Sequence, residues 1–192
     1  MRGRIHLLRH AEGIHALHQV ASIPDAPLSE RGFDFAEDLG RRFVNEHSNS
    51  TSAIISSPLS RTIQTALTAF PRILDTTQFP ENSGLGAGNG VVLTLDANLQ
   101  EIENLPCNTG KPKDSLAARF PRQGAEIDKL HQDWHKLDRS LEGLKNRLGD
   151  NDVIVVTHQG ILELLAPTTN FPAGAWRIFD LARSRNGQLV LQ

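Results

Sequence analysis

The sequence predicts one α/β domain spanning residues 1–192, with its strands buried between layers of helix. Three short runs, Ile5-His6-Leu7-Leu8, Ala53-Ile54-Ile55-Ser56 and Val153-Ile154-Val155-Val156-Thr157, are nearly continuous in apolar residues, the pattern of strands covered on both faces. Amphipathic helical patterns separate them. The 192 residues, 39% of them hydrophobic, suffice for one substantial core and would cramp a second domain.

Taken along the chain, Ser29 caps a helix predicted to run to about His47, with Phe35, Ala36, Leu39 and Phe43 on one face. A second helix begins after Ser60, buries Ile63, Ala66, Leu67 and Phe70, and stops at Pro71, whose ring cannot continue it. From about Ala125 to Leu148 the series Ile127, Leu130, Trp134, Leu137, Leu141, Leu144, Leu148 alternates steps of three and four and predicts one long helix on the sheet. Val91 to Leu95, Trp176 to Leu181 and Gln188 to Leu191 supply additional strands. The Gly- and Asn-rich stretch from Asn82 to Gly90 reads as a mobile surface loop. It is no nucleotide fingerprint, because it does not lead from a strand into a helix and lacks a P-loop lysine.

Twenty Lys and Arg against twenty-two Asp and Glu leave a formal net charge of −2, so no global positive field draws the molecule to nucleic acid or an anionic membrane. Attraction for an anion must be local. The apolar stretch Ile5 to Leu8 is too short for a secretory signal, and a membrane span needs roughly twenty apolar residues. Cys107 is the only cysteine, which excludes an intramolecular disulfide and a cysteine-built metal cage. The expected compartment is the cytoplasm, with the nucleus left open.

Each of the three buried strands ends in groups suited to phosphate chemistry, and open α/β sheets gather their ligands at the carboxyl ends of strands. The first ends in Arg9-His10. A neutral imidazole can attack phosphorus, and neighbouring guanidinium charge keeps the proton off it. The second leads through Ser57-Pro58-Leu59-Ser60-Arg61 into a helix, whose N-terminal amides attract an anion and whose Arg61 offers a fork for two phosphate oxygens. The third ends in Thr157-His158-Gln159-Gly160, where His158 and the following amides can donate to phosphoryl oxygens. Three such ends together are hard to explain as accidents.

Arg9-His10-Ala11-Glu12-Gly13, Leu28-Ser29-Glu30-Arg31-Gly32, Ser57-Pro58-Leu59-Ser60-Arg61-Thr62-Ile63-Gln64-Thr65-Ala66, Leu99-Gln100-Glu101 and Val156-Thr157-His158-Gln159-Gly160 occur in this order. In that respect the chain resembles the histidine phosphatase superfamily, which includes cofactor-dependent phosphoglycerate mutases and many small phosphatases. The resemblance covers roughly Ile5 to Leu165. It implies a phosphoglycerate mutase-like, three-layer α/β/α sandwich with a mostly parallel mixed central sheet. It further implies a metal-independent hydrolase of the histidine acid phosphatase type, acting on a phosphomonoester or related phosphorylated small molecule without a cofactor. His10 would be the nucleophile, Arg9, Arg61 and His158 the phosphate clamp, with His158 also catalytic, and Glu101 the proton donor. Glu103 is a rival two residues from Glu101. His15, Ser57 and Gln159 are further candidates for lining the pocket. No partner beyond the phosphorylated substrate is implied, and the oligomeric state stays open.

Departures from the family pattern are Ala11 in place of Gly, Ala16 where many relatives have an Asn that touches phosphate, and Gln159 in place of Gly. His15 or His18 could replace the missing Asn contact. Three other readings follow. A mutase would pass the phosphate to a second position of the substrate, and a degenerate relative would bind a phosphorylated ligand without turnover. A metalloenzyme would need His131 and His135 on one helix face, where the helical wheel turns His135 toward solvent. Lys111 and Lys113 follow the Glu101 segment, where they could meet a second anionic group of the substrate.

Overall fold

A computed structural model describes residues 4–47, 51–136, 152–183 and 189–191. Four parallel strands form its centre: β1 (Arg4–Arg9), β2 (Thr51–Ser56), β3 (Leu93–Leu95) and β4 (Asp152–Thr157). β5 (Trp176–Arg183) pairs antiparallel with β1, and β6 (Leu189–Leu191) antiparallel with β5. The sheet order is β3-β2-β4-β1-β5-β6. Because β1, β2 and β4 are neighbours running the same way, the residues that follow them, His10, Ser57 and His158, emerge at one edge of the sheet.

Strand alternation divides the core into two layers. Leu8, Ile54, Ile154 and Val156 face α2 (Glu30–His47) and α3 (Ser60–Ala69), packing with Leu39, Phe43, Ile63 and Phe70. Ile5, Leu7, Ile55, Val153 and Val155 face the other way, onto Leu99, Phe171 and the Ile161 and Leu162 of α6 (Gln159–Leu165). Full burial of such side chains is worth roughly 1.5–3 kcal/mol each. The helical layers therefore hold the strand ends rigidly, and the predicted mixed α/β architecture is the observed one.

Ser29 caps α2 as its sequence position predicts, its Oγ accepting from Gly32 N–H at 3.0 Å. Phe35 departs from expectation. It is 42% exposed, whereas Ala36, Leu39 and Phe43 are buried. The covered stripe is centred on the far side of Leu39, so Phe35 falls at its edge. In α3, Leu67 is only partly buried, packed at the rim of the core. The stretch from Asn82 to Gly90 is irregular, as predicted, yet docked: Gly86 N–H donates to Pro71 O (2.9 Å) and Ala87 N–H to Leu74 O (2.8 Å).

The long helix predicted from Ala125 is not formed. α5 covers only Gly124–Lys129, and Leu130 leaves it in extended conformation at φ −64° and ψ 146°. Leu130 and Trp134 are nevertheless buried. Their three-and-four spacing reports burial against α4 (Lys113–Arg119) and the core, not helical continuity. Lys113 Nζ takes the place of continued helix, donating to Asp128 O (2.7 Å) and Leu130 O (3.0 Å). Leu137, Leu141, Leu144 and Leu148 lie outside the described residues.

At the opposite end of β1 from His10, His6 is fully buried between Phe43 and His47, with both ring centroids 5.0 Å away. Its Nε2 is 3.5 Å from Asp152 Oδ2, beyond a good hydrogen bond. Burial lowers its pKa to about 4, with Asp152 pulling the other way. The folded value lies below the unfolded 6.5, so the unfolded chain binds more protons between the two. Stability is full above about pH 6.5 and declines as pH falls toward 4. His6→Leu removes this dependence. Between pH 7 and 4.5, urea unfolding should show the wild type losing roughly 1–2 kcal/mol more than the variant. Parallel declines would contradict the assignment.

Candidate active site

Arg61 organises the strand-end cluster. It is the second residue of α3 and 1% exposed, and burial lowers its pKa only to about 10, so it is a cation at neutral pH. Its Nε donates to His10 Nε2 (3.1 Å) and one terminal nitrogen to Cys107 O (2.8 Å). The other donates to Asn108 Oδ1 (2.8 Å) and lies 3.1 Å from His158 Nδ1. One guanidinium thus joins the ends of β1 and β4 to the short 3-10 helix Pro106–Asn108. The His10 and His158 ring centroids are 5.0 Å apart.

These contacts determine where the protons sit. The carbonyl of Ala11, 2.7 Å from His10 Nδ1, can only accept, so Nδ1 carries the hydrogen. Arg61 Nε can only donate, so His10 Nε2 presents its lone pair. By the same reasoning His158 Nδ1 accepts from Arg61, and its Nε2–H points to Ser57 Oγ at 3.0 Å. Burial holds the His10 pKa well below 6.5, and the charges of Arg61 and Arg9 lower it further. At neutral pH His10 is therefore an uncharged imidazole with a lone pair facing the arginine. Ala11 is accommodated in ordinary backbone, its N–H donating to Thr65 Oγ1 at 3.1 Å.

The remaining predicted residues fall around this pair. Arg9 is half-buried, donates from one terminal nitrogen to Phe171 O at 2.9 Å and keeps a buried Nε without a hydrogen bond. Glu101 is buried, and Glu103 is exposed. The carboxylate of Glu101 accepts from Ile102 N–H (2.8 Å) and Gly160 N–H (3.1 Å) and acts electrostatically on both Arg9 and Arg61. A side chain at position 160 would collide with it, because a Cβ there would stand 2.4 Å from Glu101 Oε1. His15 is half-buried with its ring 6.2 Å from that of His10, and burial and the two arginines lower its pKa to about 4. Ala16 and His18 are exposed. Gln159 gives its amide nitrogen to Glu163, one turn along α6.

At each of the two helix N-termini expected to receive phosphate, one amide is already taken. Ser60, the first residue of α3, gives its N–H to Asp25 Oδ1 (2.7 Å) and its Oγ–H to Asp25 Oδ2 (2.5 Å). The Gly160 amide of α6 is given to Glu101. In each case a carboxylate of the chain takes an amide that an external anion could have used. Asp25 is fully buried in left-handed backbone at φ 49°. Burial raises its pKa, against the two bonds from Ser60. Neither Asp25 nor Asn108 is marked by sequence: Asp25 sits in a turn and Asn108 ends the short 3-10 helix Pro106–Asn108, and only long-range folding brings each to the Arg61 region. His131 and His135 share no helix, since Leu130 ends α5. His131 Nδ1 instead accepts from Asp133 N–H at 3.1 Å.

Comparison with known proteins identifies the family and the fold. A family model described as the histidine phosphatase superfamily, branch 1, matches residues 5–190. No curated protein sequence matches. Among solved structures, Bacillus stearothermophilus YhfR superposes with a TM-score of 0.58 at 17% identity, covering 98% of this chain and 95% of that one. The Entamoeba histolytica phosphoserine phosphatase in complex with 3-phosphoglyceric acid gives 0.53 at 17%, covering 98% and 94%. A mycobacterial glucosyl-3-phosphoglycerate phosphatase complexed with VO3 gives 0.50 at 18%, covering 99% and 97%. At these identities the structural likeness concerns the fold.

Proposed function

As this chain belongs to the histidine phosphatase superfamily, branch 1, we propose that it hydrolyses a phosphomonoester through a phosphohistidine formed on His10. The observation that carries this reading is the lone pair of His10 Nε2, held by the Ala11 carbonyl and the Arg61 N–H beside a second imidazole. A phosphoryl group entering between His10 and His158 takes over the donors of Arg61, with Arg9 and His158 gripping further oxygens. The Nε2–P bond forms as the ester P–O bond breaks, and Glu101, entering this step as the carboxylic acid, protonates the departing alkoxide. Glu101 then removes a proton from water, whose oxygen attacks phosphorus and returns His10 and inorganic phosphate. Charge on the equatorial oxygens is met by arginines in both steps, and no step calls for a metal.

His15 is the better substitute for the polar contact that Ala16 lacks, being half-buried near His10 while His18 is exposed. Rapid alkaline quenching during turnover of 4-nitrophenyl phosphate, followed by peptide mass spectrometry, should find phosphate on His10. Turnover with an unmodified His10 would refute the mechanism. Tight phosphate binding without turnover would instead support a binding module, and isomer formation exceeding phosphate release a mutase.

The proton-donor role makes a separate prediction. Glu101→Gln should lower kcat by roughly 10²–10³-fold for alkyl phosphates, whose leaving groups need a proton. For 4-nitrophenyl phosphate, whose leaving group departs as a stable anion, the loss should be at least tenfold smaller, on the order of ten to a hundred. Equal losses on both substrates would assign Glu101 a role other than proton transfer.

A further inference from the structure

Resting on the phosphatase reading, we infer that the alcohol part of the substrate is apolar and seats on Leu17, Val20, Ile102 and Leu105. Ten large apolar side chains are exposed among the described residues, and these four occupy just two short segments, 48%, 37%, 45% and 40% exposed respectively. Scattered exposed apolar residues need no explanation, but a concentration beside a polar pocket marks a ligand surface.

Both segments are tied to the site. Val20 N–H donates to the carbonyl of His15, the residue beside His10 (2.9 Å), and Cys107 N–H donates to Ala21 O (2.9 Å), stitching the two segments together. The Cys107 carbonyl in turn accepts from Arg61. Ile102 follows Glu101 directly, donates its N–H to that carboxylate, and packs its side chain against Gly160, where an added Cβ would stand 2.5 Å from it. An ester oxygen protonated by Glu101 therefore delivers its carbon substituent next to Ile102.

Charge points the same way. Lys113, one of the two lysines that could have met a second anion, spends its ammonium on the carbonyls of Asp128 and Leu130. Glu103 is exposed between Ile102 and Leu105 and repels a second negative group. A carboxylate-bearing ester such as 3-phosphoglycerate loses on both counts, and a polyol phosphate gains nothing from the aliphatic side chains.

Alkyl esters with leaving groups of similar acidity isolate the effect. Hexyl phosphate should exceed glycerol 3-phosphate and 3-phosphoglycerate in kcat/KM by roughly tenfold or more, since each buried methylene is worth roughly a factor of four. The difference should lie mainly in KM. The double variant Ile102→Ser/Leu105→Ser should bring the hexyl to glycerol ratio to within about threefold, Leu17→Ser/Val20→Ser should reduce it as well, and Ile102→Leu should preserve it. All four positions are exposed, so the variants should fold. Equal kcat/KM for the three esters, or a ratio untouched by both double variants, would overturn the inference while leaving the phosphatase reading intact. Failure of every ester together with an unphosphorylated His10 would overturn both.

Discussion

His10→Ala should reduce kcat/KM for 4-nitrophenyl phosphate by on the order of 10⁴-fold or more and abolish the alkaline-stable label. The expectation is large because nothing nearby can serve in its place. His158 presents Nδ1 to Arg61 and gives its Nε2–H to Ser57, so its available nitrogen is a donor. His15 is 6.2 Å away between ring centroids and belongs to the short helix α1 (Ile14–Leu17), outside the strand ends. The lost imidazole also vacates the Ala11 carbonyl and the Arg61 Nε, leaving the guanidinium without one of its four partners. Phosphate affinity should survive within about tenfold, because Arg9, Arg61 and His158 remain. A variant that still turns over at a tenth of the wild-type rate would require a different nucleophile.

Arg61→Met should be nearly as severe, lowering kcat by roughly 10³-fold or more. Loss of one fixed donor to a developing oxyanion typically costs about 10²–10³-fold, and here charge is lost with it. A second readout distinguishes this from simple disorder. The Arg61 cation is, after burial, the next largest influence lowering the His10 pKa. Removing it raises that pKa, so the acid limb of kcat/KM should move to higher pH. The limb marks protonation of the nucleophile, and activity is present above the pKa and lost below it. Stability should fall too, by roughly 1–3 kcal/mol for each buried acceptor left unpaired among Cys107 O, Asn108 Oδ1 and His158 Nδ1. An unshifted acid limb would indicate that the titrating group is not His10. Arg61→Lys should recover little, since an ammonium cannot span two imidazoles, a carbonyl and an amide at once.

The buried strands were legible because each apolar run is a local property: β4, the interior of β1 and the second half of β2 are buried, and within the apolar runs at 5–8, 53–55 and 153–156 only His6 is polar. The helices α2 and α3 were legible through Ser29 and Pro71, residues that act on their own backbone. The residues at Ala125–Leu130 misled for an instructive reason. Spacing of three and four records which side chains are buried, and a short helix followed by an extended turn buries Leu130 and Trp134 as well as a continuous helix would. Continuity depends on what receives the carbonyls of Asp128 and Leu130, and that partner is Lys113, fifteen and seventeen residues away.

The candidate site divides in the same manner. The chemical types, two histidines and two arginines at or just after strand ends with a carboxylate from a fourth segment, can be read from linear motifs, because a motif is short enough to constrain its own turn. Local sequence does not say which donors stay available. Asp25 and Glu101 fill the starts of α3 and α6 only because the chain folds back across thirty-five and fifty-nine residues to bring them there. The proton positions on His10 and His158 likewise follow from contacts with Ala11 and Arg61, and Arg61 reaches them from fifty-one and ninety-seven residues away. Residue order thus carries the inventory of reactive groups, while tertiary packing selects their tautomers, charges and vacant hydrogen bonds, because those depend on neighbours that only folding supplies.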